Sequence, residues 1–293
     1  PNQSITIKGN HFINNADTAV YFTQSNASTV THYIQQNVFD YNLNDISLNG
    51  VNSNSYDIDH NSFLNLQSTG AANYCISAGM QQNGSLQIHH NYFKAYEPSS
   101  GAASGAAVYV SKAANRTWWG VVKINNNIFQ KYSVAAVKLS NTSGTPLENP
   151  NMWMIFNNHF QSMTSTFIEE YQIPAVIHNN TFADIPTGKT AIYSTKAAGG
   201  GFSYGPNLPQ NFIWNNYFYG QEINAPNKPG VGYLIGASDG ISLWISIDDG
   251  SGTPLTTKIN RTIHQNNVPY NYGVNANWPT YGSKAAWVSE VFA

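Results

Sequence analysis

Two short stretches carry the side chains best suited to proton or metal chemistry. Asp59-His60 and His89-His90 each stand directly before an asparagine, Asn61 and Asn91. If the two stretches lie on neighbouring strands, Asp59 falls above His89 and His60 above His90, roughly 5 Å apart. Four ionisable groups on one spot can bind a metal or run acid–base chemistry. Equivalent positions elsewhere hold Gln35-Gln36, Asn125-Asn126 and His178-Asn179. A structural polar column is therefore the plainer account, and neither a metal nor a cofactor is expected. His178 and His264 belong to the same column at distant places. A further candidate is Glu169, followed by Glu170. Adjacent strand residues face opposite sides, so these two are not a carboxylate pair. One of them with a carboxylate from a neighbouring coil, such as Asp184, would make a glycosidase-like couple. Arg116 beside Trp118 and Trp119 could anchor and stack a sugar ring, or the two tryptophans simply pack onto the scaffold. Asp248-Asp249-Gly250 reads as a turn.

The elements that must position these groups are announced by one signature, Ile-x-x-Asn-x-(Phe/Val). It begins at Ile7, Ile34, Ile58, Ile88, Ile124, Ile155, Ile177, Ile213 and Ile263. Its asparagines are Asn10, Asn37, Asn61, Asn91, Asn127, Asn158, Asn180, Asn216 and Asn266. The tightest spacings, roughly 22 to 24 residues, are those of a solenoid, and longer gaps are insertions. Each copy reads as strand, tight turn, strand. The asparagine is expected to take the left-handed bend and to bond amide to amide with its equivalents in a ladder. The Ile and Phe point inward. A second apolar segment follows most copies, as in Ala19-Val20-Tyr21-Phe22, Ala136-Val137-Lys138-Leu139 and Tyr74-Cys75-Ile76. Short strands without helical periodicity predict a parallel β-solenoid. A propeller blade needs roughly 40 residues, too many for the spacing between Asn158 and Asn180. Nine coils at the ~4.8 Å strand spacing give a rod roughly 40 Å long. Cys75 is expected to be a buried core residue.

Over about residues 5–268 the pattern resembles the right-handed parallel β-helix repeat of the pectin-lyase-like superfamily, which includes polysaccharide lyases, hydrolases, epimerases and phage tailspikes. The resemblance implies an all-β, right-handed parallel β-helix of about nine coils. It carries no activity with it. The lyase-like Arg-x-Pro-x-x-Arg and Trp-Ile-Asp-His sequences are absent, as is the epimerase Asp-Pro-His. Of the polygalacturonase-like set only Asp248-Asp249 occurs, in the wrong context.

The expected organisation is a β-helix over 1–268, interrupted at 94–120, 196–211 and 220–262, then a tail at 269–293. The third interruption contains a β-hairpin built on Ile241–Ile247 and Leu255–Ile259. The aromatic tail would cap the last coil or form an interface. Only 10% of the 293 residues are charged and the net charge is −2. With Arg116 and Arg261 as the only arginines, phosphate-backbone binding is not expected. No apolar run is long enough to span a membrane. The chain opens on Pro1 without a signal-peptide pattern, which suggests a processed or truncated piece. A polar, weakly charged, aromatic-dotted surface suits sugars or protein. The expected function is thus a non-catalytic module for attachment or assembly, at an extracellular, cell-surface or virion surface. Its partner would be a glycan or cell-surface polymer, and a trimer or larger assembly is possible. The alternative is a polysaccharide-active enzyme using Asp59, His60, His89 and His90, or Glu169.

Overall fold

The computed structural model describes residues 3–23, 29–51, 53–67, 73–80, 84–95, 106–112, 120–140, 153–171, 173, 175–185, 191–195, 211–220, 245–248, 262–265 and 268–270. Among these residues the chain forms three all-parallel sheets of nine, nine and eight strands, and no helix. Each of the first eight coils contributes one strand to each sheet, and the ninth adds a strand to the first two. In the third coil these are Ser55–Asp59, Ser62–Leu64 and Ile76–Met80. Every pairing joins a strand to its equivalent one coil away, as with Ile34↔Ile58, Phe39↔Phe63 and Ile46↔Ile76. The molecule is the expected right-handed parallel β-helix.

Period-2 alternation decides which side chains enter. Along Ser85–His89, Leu86 and Ile88 are buried while Ser85, Gln87 and His89 are partly exposed. The signature isoleucines therefore stack through the core, and its phenylalanines make a second column. Phe12, Phe39, Phe63, Phe93, Phe129, Phe160 and Phe182 stack nearly parallel, with successive centroids 4.6–5.0 Å apart. Such pairs add about 0.5–1.5 kcal/mol each beyond their area burial.

The turn between the first two sheets departs from expectation in one respect. The signature asparagine is not the left-handed residue; the one before it is. Gln36, His60, His90, Asn126, Asn157, Asn179 and Asn215 have φ of 53–56°, and Gly9 serves in the first coil at 70°. This leaves the asparagine side chain free to turn inward and build the ladder. Its Nδ2 donates to Oδ1 of the next coil's asparagine at 3.0–3.1 Å all the way from Asn10 to Asn216. The same Oδ1 also accepts from the preceding coil's asparagine N–H at 2.9–3.0 Å.

Other expectations change near the end of the rod. Ile245–Asp248, anticipated as part of a hairpin, pairs in parallel with Ile192–Thr195 and extends the third sheet. The hairpin's second arm lies outside the described residues, as do 271–293 of the tail. The ninth copy is also displaced by one residue. Ile213 pairs with His264 rather than Ile263, and Phe218 pairs with Pro269 rather than Val268. His264 therefore leaves the column of His178, whose next neighbour in register is Trp214.

Where the strands of the first sheet begin, successive backbones approach so closely that only glycine fits. A Cβ on Gly120 would stand 2.0 Å from the Gly84 carbonyl oxygen. That oxygen cannot retreat without losing its bond from the Val121 N–H at 2.9 Å. Gly120→Ala should therefore lower stability by about 1–3 kcal/mol, the usual range for overpacking. Gly9→Asn, at a left-handed position with nothing within 4 Å of the added Cβ, should stay within about 0.5 kcal/mol, as ordinary surface changes do. Urea unfolding of both variants checks the pair.

One polar group sits deep inside the coil. Asp45 accepts from Asn42 Nδ2 at 2.9 Å through Oδ1, and its carboxyl also interacts with the Cys75 thiol. Cys75 is buried as expected, its Sγ 3.2 Å from the Tyr132 hydroxyl. Loss of solvent drives the Asp45 carboxyl up to about 8.

Candidate functional site

The strands Ser55–Asp59 and Ser85–His89 are direct neighbours, with Asp59 in register with His89 and Asp57 with Gln87. The pleat sends Asp57, Asp59 and His89 to one side, away from the core. The left-handed turn at His60 and His90 then swings those two rings onto the same spot. Their rings stack nearly parallel, centroids 5.2 Å apart, close to the spacing anticipated for His60 above His90.

Within this cluster every histidine has a defined partner. His60 Nδ1 lies 2.6 Å from Asp59 Oδ2. The His60 side chain is 55% exposed, and its Nε2 takes no part in that contact. His89 is held at both nitrogens: Nε2 is 2.7 Å from Asp57 Oδ1, and Nδ1 is 2.7 Å from His90 Nδ1. Burial and the neighbouring His89 and His60 hold His90 below the usual histidine range, with Asp59 pulling in the opposite sense. Asp59 itself is only 8% exposed, and its Oδ1 is buried without a hydrogen-bond partner.

Asp57 was not among the residues singled out from the sequence, yet it is integral to the group. The signal existed: it stands two residues before Asp59 in a strand, hence on the same side. The column is also less uniformly polar than expected. Register continues from His89 through Asn125 to Phe156 and His178, and the Phe156 and His178 rings stack at 5.1 Å.

The other sequence candidates fall elsewhere. Glu169 and Glu170 do face opposite sides. Glu170 is fully buried, and Glu169 pairs with Lys138 Nζ at 3.2 Å on the outside of the third sheet. Asp184 sits near the end of the strand Thr181–Ile185 in the second sheet, accepting from Ser162 Oγ at 3.0 Å and Gln161 Nε2 at 3.3 Å. The structure gives the two carboxylates separate partners and no couple. Arg116, Trp118 and Trp119 lie outside the described residues.

Sequence inspection missed an aromatic and charged strip on the third sheet. Register runs Ser77, Tyr109, Lys138, Glu169, Tyr193 along its outer side. Tyr74 joins it, its ring stacked on Tyr109 at 4.7 Å and 16°. Burial, then Tyr109, then Glu169 raise the Tyr74 hydroxyl above its usual range. Aligning the apolar residues that flank each of these positions would have revealed the row.

No helix among the described residues is long and apolar enough to cross a membrane. No family model, no curated protein and no solved structure matches this chain.

Proposed function

We propose that this chain is a recognition module whose β-helix displays a glycan-binding strip on the outer side of the third sheet. The observation that carries this reading is the Tyr74–Tyr109 stack beside the Lys138–Glu169 ion pair. Aromatic rings offer an apolar face to the C–H side of a sugar, and a charged pair beside them supplies donors and acceptors for its hydroxyls. Both tyrosines are partly exposed, and strip residues repeat at about 4.8 Å along the rod, a geometry suited to an extended polymer. Attachment or assembly at an extracellular, cell or virion surface is the setting we infer, from the low charge of the chain. Resemblance to the pectin-lyase-like repeat is in keeping with a carbohydrate partner.

Glycan-array binding by the wild type and Tyr109→Ala tests the reading. Loss of one stacked aromatic should weaken retention at least tenfold, about 1.4 kcal/mol, with unchanged far-ultraviolet circular dichroism. Unchanged retention by Tyr109→Ala and Tyr74→Ala together would remove the strip from consideration.

One observation favours a second reading, a polysaccharide-active enzyme. The Asp59-oriented His60 presents a free Nε2 to solvent, the arrangement of a general base. Polysaccharide cleavage that disappears in His60→Gln would support it.

A further inference from the structure

The geometry points to a transition-metal dication site at Asp57, Asp59 and His89, on the outer side of the first sheet. It is independent of the glycan strip, which lies on the third sheet. One ligand atom from each of the three residues falls within 4.8 Å of the other two. Small side-chain rotations bring such a set to the 2.0–2.2 Å metal–ligand distances of zinc. The second observation is Asp59. It is 8% exposed, and its Oδ1 is buried with no hydrogen-bond partner, although buried carboxylate oxygens are ordinarily satisfied. That oxygen needs a positive partner, and His60 already occupies Oδ2.

The surroundings of His89 are arranged as a ligand requires. Metal-bound imidazole gives one nitrogen to the ion and donates from the other to a neighbouring acceptor. Here His89 Nδ1 is 2.7 Å from His90 Nδ1. With Nε2 on the ion, the proton sits on Nδ1 and is donated to His90, whose own proton then resides on Nε2 at the exposed edge. Without the ion, Nε2–H donates to Asp57 Oδ1 at 2.7 Å, and His90 donates in the reverse direction. A paired change of tautomer, at His89 and at His90, converts the resting network into a binding one.

The ligand set selects the ion class. An imidazole nitrogen with two carboxylates suits Zn²⁺ or a similar first-row dication. Calcium takes six to eight oxygen ligands, more than this group can supply. Three protein ligands leave the remaining coordination position for water or a guest.

Titration of the full chain, stripped of metal by chelator and dialysed, tests the assignment with ZnCl₂ and separately with CaCl₂. The expected result is one Zn²⁺ per chain with micromolar or tighter affinity, and no calorimetric response to Ca²⁺. His89→Gln and Asp59→Asn should each weaken Zn²⁺ binding at least tenfold while retaining the wild-type circular dichroism. His159→Gln, on the second sheet, should bind as the wild type does and excludes adventitious histidine binding. Co²⁺ loading should give d–d absorption bands that disappear in His89→Gln. A wild type that takes up no Zn²⁺ at 100-fold excess, or a His89→Gln variant that still binds one equivalent at full affinity, overturns the assignment.

Discussion

Asn127→Ala should cost about 3–5 kcal/mol of unfolding free energy, out of proportion to the few atoms removed. The Asn127 side chain makes four bonds in the ladder. Its Oδ1 accepts from Asn91 N at 2.9 Å and from Asn91 Nδ2 at 3.1 Å. Its Nδ2 donates to Ile88 O at 2.9 Å and to Asn158 Oδ1 at 3.0 Å. Alanine removes all four and leaves the buried Asn91 N–H without an acceptor, in a position water cannot reach. Each orphaned buried group costs about 1–3 kcal/mol, and the vacated volume adds to this. Asn127→Asp should fare no better, because it sets a second acceptor against Ile88 O and Asn158 Oδ1. The neighbouring Asn125→Ala is the control. Asn125 Oδ1 has no partner to lose, so its cost should stay below about 1 kcal/mol. Chemical denaturation of the three variants separates ladder from column.

Asp45→Asn should have the second large effect, in the opposite direction and dependent on pH. The folded carboxyl titrates at about 8 against an ordinary 3.8. Between those values the folded chain holds a proton that the unfolded chain has released. An acid raised in this way contributes fully below pH 3.8, and its contribution is lost as pH rises toward 8. At 1.36 kcal/mol per pH unit, the loss from pH 4 to pH 7 is about 4 kcal/mol. A carboxamide keeps the acceptor for Asn42 Nδ2 and has no charge to suppress. The variant should therefore gain on the wild type steadily from pH 4 to pH 7. The difference between the two is the quantity to read, because burial lowers His32 and His178 and their contributions run the other way, falling as pH drops below the ordinary histidine value. Equal pH profiles for the two proteins would show that Asp45 does not hold its proton in the fold.

The parts of the fold visible in the sequence were those set by local period. The Ile and Phe columns follow from alternation, and the ladder follows from asparagines recurring once per coil. The left-handed position was harder to place. In copies such as Asn126-Asn127 both residues tolerate that conformation, and only the ladder decides that Asn127 must turn inward. The ninth copy was misread for a related reason. Ile263-x-x-Asn266 satisfies the signature as a string, but register is chosen by the strand beside it, and the structure pairs His264 with Ile213.

The candidate sites show the same division. His60 over His90 and Asp59 over His89 were legible, since both pairs sit at fixed offsets from a ladder asparagine. The hydrogen bonds that make the group a unit were not, because His89 reaches across the strand pair to Asp57, a diagonal contact with no signature of its own. The Tyr74–Tyr109 stack was hidden because Tyr74 precedes its strand, Ile76–Met80, and meets Tyr109 across the coil boundary. The proposed Glu169–Asp184 couple failed because their strands, Ile168–Tyr171 and Thr181–Ile185, belong to different sheets.

The most direct measurement follows binding and cleavage in one sample. Wild-type chain is incubated with a panel of surface polysaccharides, and both retained glycan and newly formed chain ends are quantified. A recognition module retains at least one polymer, releases no products, and loses retention on Tyr109→Ala. Product release that vanishes in His60→Gln would contradict it and establish the chain as an enzyme.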